Sequence, residues 1–135
     1  MKIVADTNVL LRDALHDDPR QSPIAGKVLQ RAELVAIPVA VLCEFVWVLR
    51  QGYKRPAAEV AHSIRALIDS ENVVSNRPAV EAGLEFLQNG GDFADGGGDA
   101  VFFKKLSGLV LVDIHSAEIV WRDVRMNTPN AGIDT

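Results

Sequence analysis

Four acidic residues of this 135-residue chain sit in apolar surroundings: Asp6 in KIVADTNVLL, Glu44 in VAVLCEFVWVL, Asp95 in GGDFADG and Asp113 in LVLVDIHSAE. A carboxylate held in or beside a core must be neutralised, because burying an unpaired charge is costly. The local sequence offers no cation: no Lys or Arg lies within five residues after Asp6, or on either side of Glu44. A divalent ion is the economical neutraliser, and hard cations such as Mg2+ and Mn2+ take oxygen ligands. Carboxylates gathered on such an ion make a site for attack on phosphate esters. The ion lowers the pKa of its bound water and offsets charge on the phosphate oxygens. A carboxylate beside that water can act as general base.

Each of the four also has a plainer reading. Asp6 and Asp95 are good helix N-caps, Asp113 a turn residue after a strand, and Glu44 the partner of a distant arginine. Asp92 and Asp99 flank Asp95 and are secondary candidates, and His115 reads as a surface or capping residue. No serine or cysteine stands beside a histidine in the manner of a nucleophile. Cys43, the single cysteine, reads as a core residue and excludes both an internal disulfide and a cysteine zinc site.

The elements that must position these residues follow from periodicity. Lys2–Ala5 and Leu34–Ile37 are short apolar strands, with further strands at Val73–Ser75 and 109–112. Helices are expected over 7–14, from Ser22-Pro23 to about Ala32, from Pro38 to Gly52, after Arg55-Pro56, and from an Asn76 cap to Gly90-Gly91. The third of these carries Glu44, with Val41, Leu42, Phe45, Val48 and Leu49 as its inward face. A helix from about Asp95 is weakened by Gly96-Gly97-Gly98, each costing roughly 1 kcal/mol relative to alanine. A short helix over 116–122 and a polar tail over 126–135 complete the chain, giving one domain over 1–125.

Alternating strands and helices imply an α/β fold, a three-layer α/β/α sandwich around a parallel sheet. Ligands of such sheets bind beyond the carboxyl ends of the strands, where Asp6 and Asp113 both stand. The bulk composition agrees with a soluble domain: 48% hydrophobic, 24% charged. No secretory leader is legible at Met1, and no stretch is long and apolar enough to span a bilayer, so a cytoplasmic location is expected. A net charge of −4 argues against strong non-specific nucleic-acid binding but leaves room for a basic rim from Arg12, Arg50, Lys54 and Arg55.

Four segments in order, MKIVADTNVLLR, IPVAVLCEFVWVLRQGY, RPAVEAGLEFLQNGGDFADG and LVLVDIHSA, make residues 1–122 resemble the PIN-domain nucleases, and among them the VapC-type toxins. The resemblance implies that Asp6, Glu44, Asp95 and Asp113 form the catalytic, metal-binding constellation. It implies that Thr7 and Asn8 support it by hydrogen bonding. It further implies a dimeric, Mg2+- or Mn2+-dependent ribonuclease acting on RNA and restrained by a VapB-type antitoxin. Gly97, Gly98 and Ile114 depart from the family pattern, which carries apolar helix residues after the third aspartate and a basic residue after the fourth. A PIN-fold module that has lost catalysis and still binds an antitoxin is the alternative. A haloacid-dehalogenase-like phosphatase is a weaker one, since Asn8 occupies the place of its second aspartate.

Overall fold

The computed structural model describes residues 1–93, 109–115 and 118–123, the last two segments by their backbone and the Val112 side chain. Within them the chain runs β1 (Lys2–Ala5), α1 (Thr7–Leu15), α2 (Gln21–Arg31), β2 (Leu34–Ile37), α3 (Val39–Trp47), α4 (Ala57–Ile68), β3 (Val73–Ser75), α5 (Arg77–Gln88), β4 (Leu109–His115) and β5 (Glu118–Asp123). A five-residue π-helical turn, Val48–Gly52, extends α3.

The strands lie in the order β3-β2-β1-β4-β5. The first four are parallel, and β5 pairs antiparallel with β4 at the edge. Ile3, Val4 and Ala5 are all buried, as are Val35, Ala36 and Ile37. Consecutive buried residues mean that both faces of the central strands are covered. The fold is therefore the expected α/β/α sandwich. Its core gathers Ile3, Val9, Leu10, Val35, Ile37, Leu42, Phe45, Ile64, Val80 and Leu84 from both strands and helices.

Three expectations are corrected. Residues 118–123 form strand β5 and no helix. The run Ile119-Val120-Trp121 is β-branched and aromatic, which suits a pleated surface, and only two residues separate it from β4. Strand β4 does not stop before Asp113 but continues through it to His115, held by pairing of Asp113 with Val120. At the start of α2, Ser22 is no N-cap: the Asp18 carboxylate accepts from the Arg20 and Gln21 N–H groups at 2.9 and 2.8 Å, and the Ser22 hydroxyl accepts from Asp18 N–H at 3.4 Å.

Gly52 was expected to end the third helix, and the helical turn does close there. The left-handed residue that reverses the chain is Lys54, at φ 55°. Asn76 caps α5 as expected, its side chain accepting from Ala79 N–H at 3.4 Å. The segment 94–108, with its expected helix and glycine cluster, and the tail over 126–135 lie outside the described residues.

Candidate functional site

The connections define where the sheet can bind a ligand. From β1 the chain steps through β2 to β3 on one side, then returns to place β4 on the other side of β1. The order reverses between β1 and β4, the point at which sheets of this kind generally take a ligand, beyond the carboxyl ends of the strands. Asp6 follows β1 there directly.

Backbone pairing sets Asp6 beside Asp113. Ala5 is in register with Val112, and Asp6 N–H donates to the Val112 carbonyl at 3.0 Å, carrying the ladder one residue further. Asp113 is thus the next position on β4 at the same level of the sheet. The two backbones stand one strand spacing apart, about 5 Å. Two of the four carboxylate-bearing positions meet at the reversal point.

Asp6 is also the cap of α1, with extended φ −85° and ψ 167°. Its carbonyl accepts from Val9 and Leu10 N–H at 3.2 and 3.4 Å. Its Oδ1 accepts from Thr7 N–H at 2.7 Å, and Oδ2 accepts no hydrogen bond among the described residues. The side chain is half-buried, so one oxygen is anchored and the other remains for a further partner. Capping and ligation are therefore compatible.

Thr7 departs from expectation. Only its backbone N–H supports Asp6; the hydroxyl is buried, 3% of the residue being exposed, and has no hydrogen-bond partner among the described residues. Buried hydroxyls are paired in the great majority of cases, so this one has an unused place for a hydrogen-bond partner such as an ordered water. Asn8 is exposed and its side chain makes no hydrogen bond among the described residues.

Glu44 also corrects the sequence reading. It is exposed on α3, not embedded in a core. The helix buries Val39, Leu42, Phe45 and Val46, continued by Leu49, and this stripe turns Ala40, Glu44 and Trp47 outward. An apolar neighbourhood in sequence here reflects a helix richer in apolar residues than its buried face requires. Trp47, one turn beyond Glu44, is 65% exposed. Cys43 is half-buried beside it.

The turn that brings α3 off the sheet is fixed by Ser75, whose hydroxyl donates to the Ile37 carbonyl at 2.8 Å at the end of β2. Asp95 lies outside the described residues, but the chain two positions before it is firmly held. Phe93 is fully buried, and its ring lies against the backbone of Gly83 in α5, where an added Cβ would come within 2.6 Å of the ring. The lone glycine inside the periodic pattern of α5 is the sequence signal for that contact. Ser75 and Thr7 left no comparable signal, since a hydroxyl's partner is invisible without the fold.

The expected basic rim is only partly available. Arg12, Tyr53 and Asp17 form one cluster, Arg12 donating to Asp17 at 3.0 Å and to the Tyr53 hydroxyl at 3.3 Å. Arg55 pairs with Glu59 at 3.0 Å, and Arg50 donates to the Arg55 carbonyl at 3.1 Å. These groups lie near the distal ends of α1 and α3. The rise of an α-helix puts Arg12 and Arg50 each about 9 Å along the axis from Asp6 and Glu44. The Arg12 charge is matched by Asp17, whereas Arg50 meets only a neutral carbonyl.

Among the described residues, no three His, Cys, Asp or Glu side chains converge to hold a metal. That search does not reach Asp95 or the Asp113 side chain. The donor set available is carboxylate oxygen, which is the chemistry that Mg2+ and Mn2+ select. No helix among the described residues is long and apolar enough to cross a membrane. No protein-family model matches the chain, and no curated protein matches it.

Proposed function

We propose that the chain is a Mg2+- or Mn2+-dependent endoribonuclease of the PIN-domain type, acting as the toxin of a VapBC-type pair in the cytoplasm. One observation carries the reading: Asp6 stands at the reversal point of a parallel sheet, in backbone register with Asp113. The half-used Asp6 carboxylate and the orphaned Thr7 hydroxyl beside it add support.

In this reading Asp6, Glu44 and Asp95 hold the ion, directly or through water, and Asp113 completes the set or orients the attacking water. A bound divalent ion supplies an acidified water and offsets charge on the phosphate. The protein's own part is positional. Thr7 N–H fixes one Asp6 oxygen, which leaves the other oriented by the helix cap. Phe93 against Gly83 anchors the chain that leads to Asp95. Ser75 secures the turn into the helix that carries Glu44. A carboxylate next to the water accepts its proton, and the bond to the leaving ribose oxygen breaks as the new P–O bond forms.

The partners in this reading are RNA, a VapB-type antitoxin and a second copy of the chain. The outward Trp47 and the exposed Phe86 are aromatics of the kind that interfaces use as anchors.

The test is cleavage of a mixed RNA substrate in Mg2+ or Mn2+, with chelator controls, by the parent and by Asp6→Asn. The variant keeps a capping oxygen, so it should fold while losing about a hundredfold or more of the activity. Equal cleavage by a folded Asp6→Asn variant, or cleavage indifferent to chelator, contradicts the proposal. Capture of a phosphoaspartate at Asp6 would favour the phosphatase reading instead.

A further inference from the structure

A cavity lies at the other end of β1 from Asp6. It has a volume of about 380 Å³, and Met1 and Ile3 meet one stripe of α2 there. That stripe, Ile24, Lys27, Val28 and Arg31, has the i, i+3, i+4, i+7 spacing of a single helix face. A face of that kind normally packs on the core. Here its apolar members Ile24 and Val28 are only half-buried and line open space together with Ala32.

Two cationic side chains stand on the rim. Lys27 and Arg31 are exposed, one turn apart, and neither makes an ion pair or side-chain hydrogen bond among the described residues. The Met1 ammonium is already matched by Glu33 at 4.0 Å. The long stems of Lys and Arg cover apolar surface while their heads stay in water, so the two cations frame the mouth of an apolar slot. The volume falls at the low end of small-molecule sites, which span roughly 300–1,000 Å³, and is too small for a protein segment several turns long.

We infer that this cavity is a binding site for a single-chain anionic amphiphile, a medium-chain carboxylate, whose tail enters the apolar slot while Lys27 and Arg31 hold its head. Burial of the chain supplies affinity at roughly 0.8 kcal/mol per methylene, and the two cations supply selectivity for an anionic head. The site is independent of the carboxylates near Asp6, and of any metal.

Calorimetric titration of the full chain in chelator, below the micelle concentration, tests it with three probes. Decanoate is expected to bind one to one. Decylammonium, with the same chain and opposite charge, and butanoate, with the same head and little chain, are each expected to bind about tenfold more weakly or worse. The double substitution Lys27→Glu with Arg31→Glu changes only exposed positions, and should weaken decanoate about tenfold and favour decylammonium. Val28→Trp should fill the slot and abolish binding of both long-chain probes. Equal binding of the two long-chain probes overturns the inference, as does undiminished decanoate binding to the charge-reversed variant or no decanoate binding to the parent. RNA cleavage plays no part in these readouts, so they stand or fall apart from the nuclease proposal.

Discussion

At the scale of single residues, Thr7 and Glu44 separate a structural role from a functional one. A buried hydroxyl with no partner destabilises the chain that carries it, and an isosteric methyl removes the cost. Thr7→Val should leave stability unchanged or raise it by about 1 kcal/mol, read as a higher urea midpoint with unchanged slope. If the hydroxyl serves the site, the same variant cleaves RNA more slowly despite being more stable. Glu44 gives the complementary case. Because it is exposed, Glu44→Gln should shift stability by no more than about 0.5 kcal/mol while reducing metal-dependent cleavage. Asp13 adds a pH signature of its own. Half-buried on α1 near Gly26, it is pushed above the ordinary carboxylate range by burial, an effect eased by the nearby His16. A raised folded pKa means stability present below the unfolded value, near 3.9, and lost as pH rises through the folded value. Asp13→Asn should therefore stabilise the protein at pH 7 and have little effect at pH 3, as measured by thermal unfolding at both.

At the scale of elements, caps and contacts decide what the strands and helices present. The Asp18 carboxylate is held below its ordinary range, first by the Gln21 N–H and next by the Arg20 N–H at the start of α2. A depressed folded pKa gives stability that is present above the unfolded value and lost as pH falls through the folded one. Asp18→Asn keeps an oxygen acceptor and should flatten the acid side of the stability curve below about pH 4. Helices α4 and α5 are joined by a two-pronged pair, Arg65 donating to both oxygens of Glu81 at 2.7 and 3.0 Å. The pair lies at the surface, where solvent and salt screen it, so its contribution to stability is small. The larger constraint on α5 is Gly83. A methyl there drives into the Phe93 ring, so Gly83→Ala should cost roughly 1–3 kcal/mol in urea unfolding. It should also disturb the segment leading to Asp95.

At the scale of the whole molecule, the layer order follows from patterns that a chain displays openly. Strands β1 and β2 fell where continuous apolar runs were bounded by Asp and Pro, because a strand buried on both faces needs such a run, while the half-buried edge strand β3 was marked by Val73-Val74 and the Asn76 that follows. The helices followed from apolar spacing and from Pro and Asn at their starts. The edge strand β5 did not, since Glu118–Asp123 is short enough to satisfy helical and strand patterns alike until its neighbour is known. The place of Asp6 at the carboxyl edge of the sheet is legible because a polar residue ending an apolar strand marks that edge. The exposure of Glu44 is not legible, because an apolar helix does not announce which of its faces turns outward. The orphaned Thr7 hydroxyl and the Ser75 bond to β2 arise only from three-dimensional neighbours, so no local pattern encodes them.

The proposed nuclease needs the carboxylates at the β1–β4 reversal to bind a divalent ion. Calorimetric titration of Mn2+ into the parent and into Asp6→Asn, each first shown to unfold at the same urea midpoint, addresses it most directly. Saturable Mn2+ binding is expected for the parent, and binding about a hundredfold weaker or lost for the variant. Mn2+ binding of equal strength by both proteins, or by neither, would contradict it.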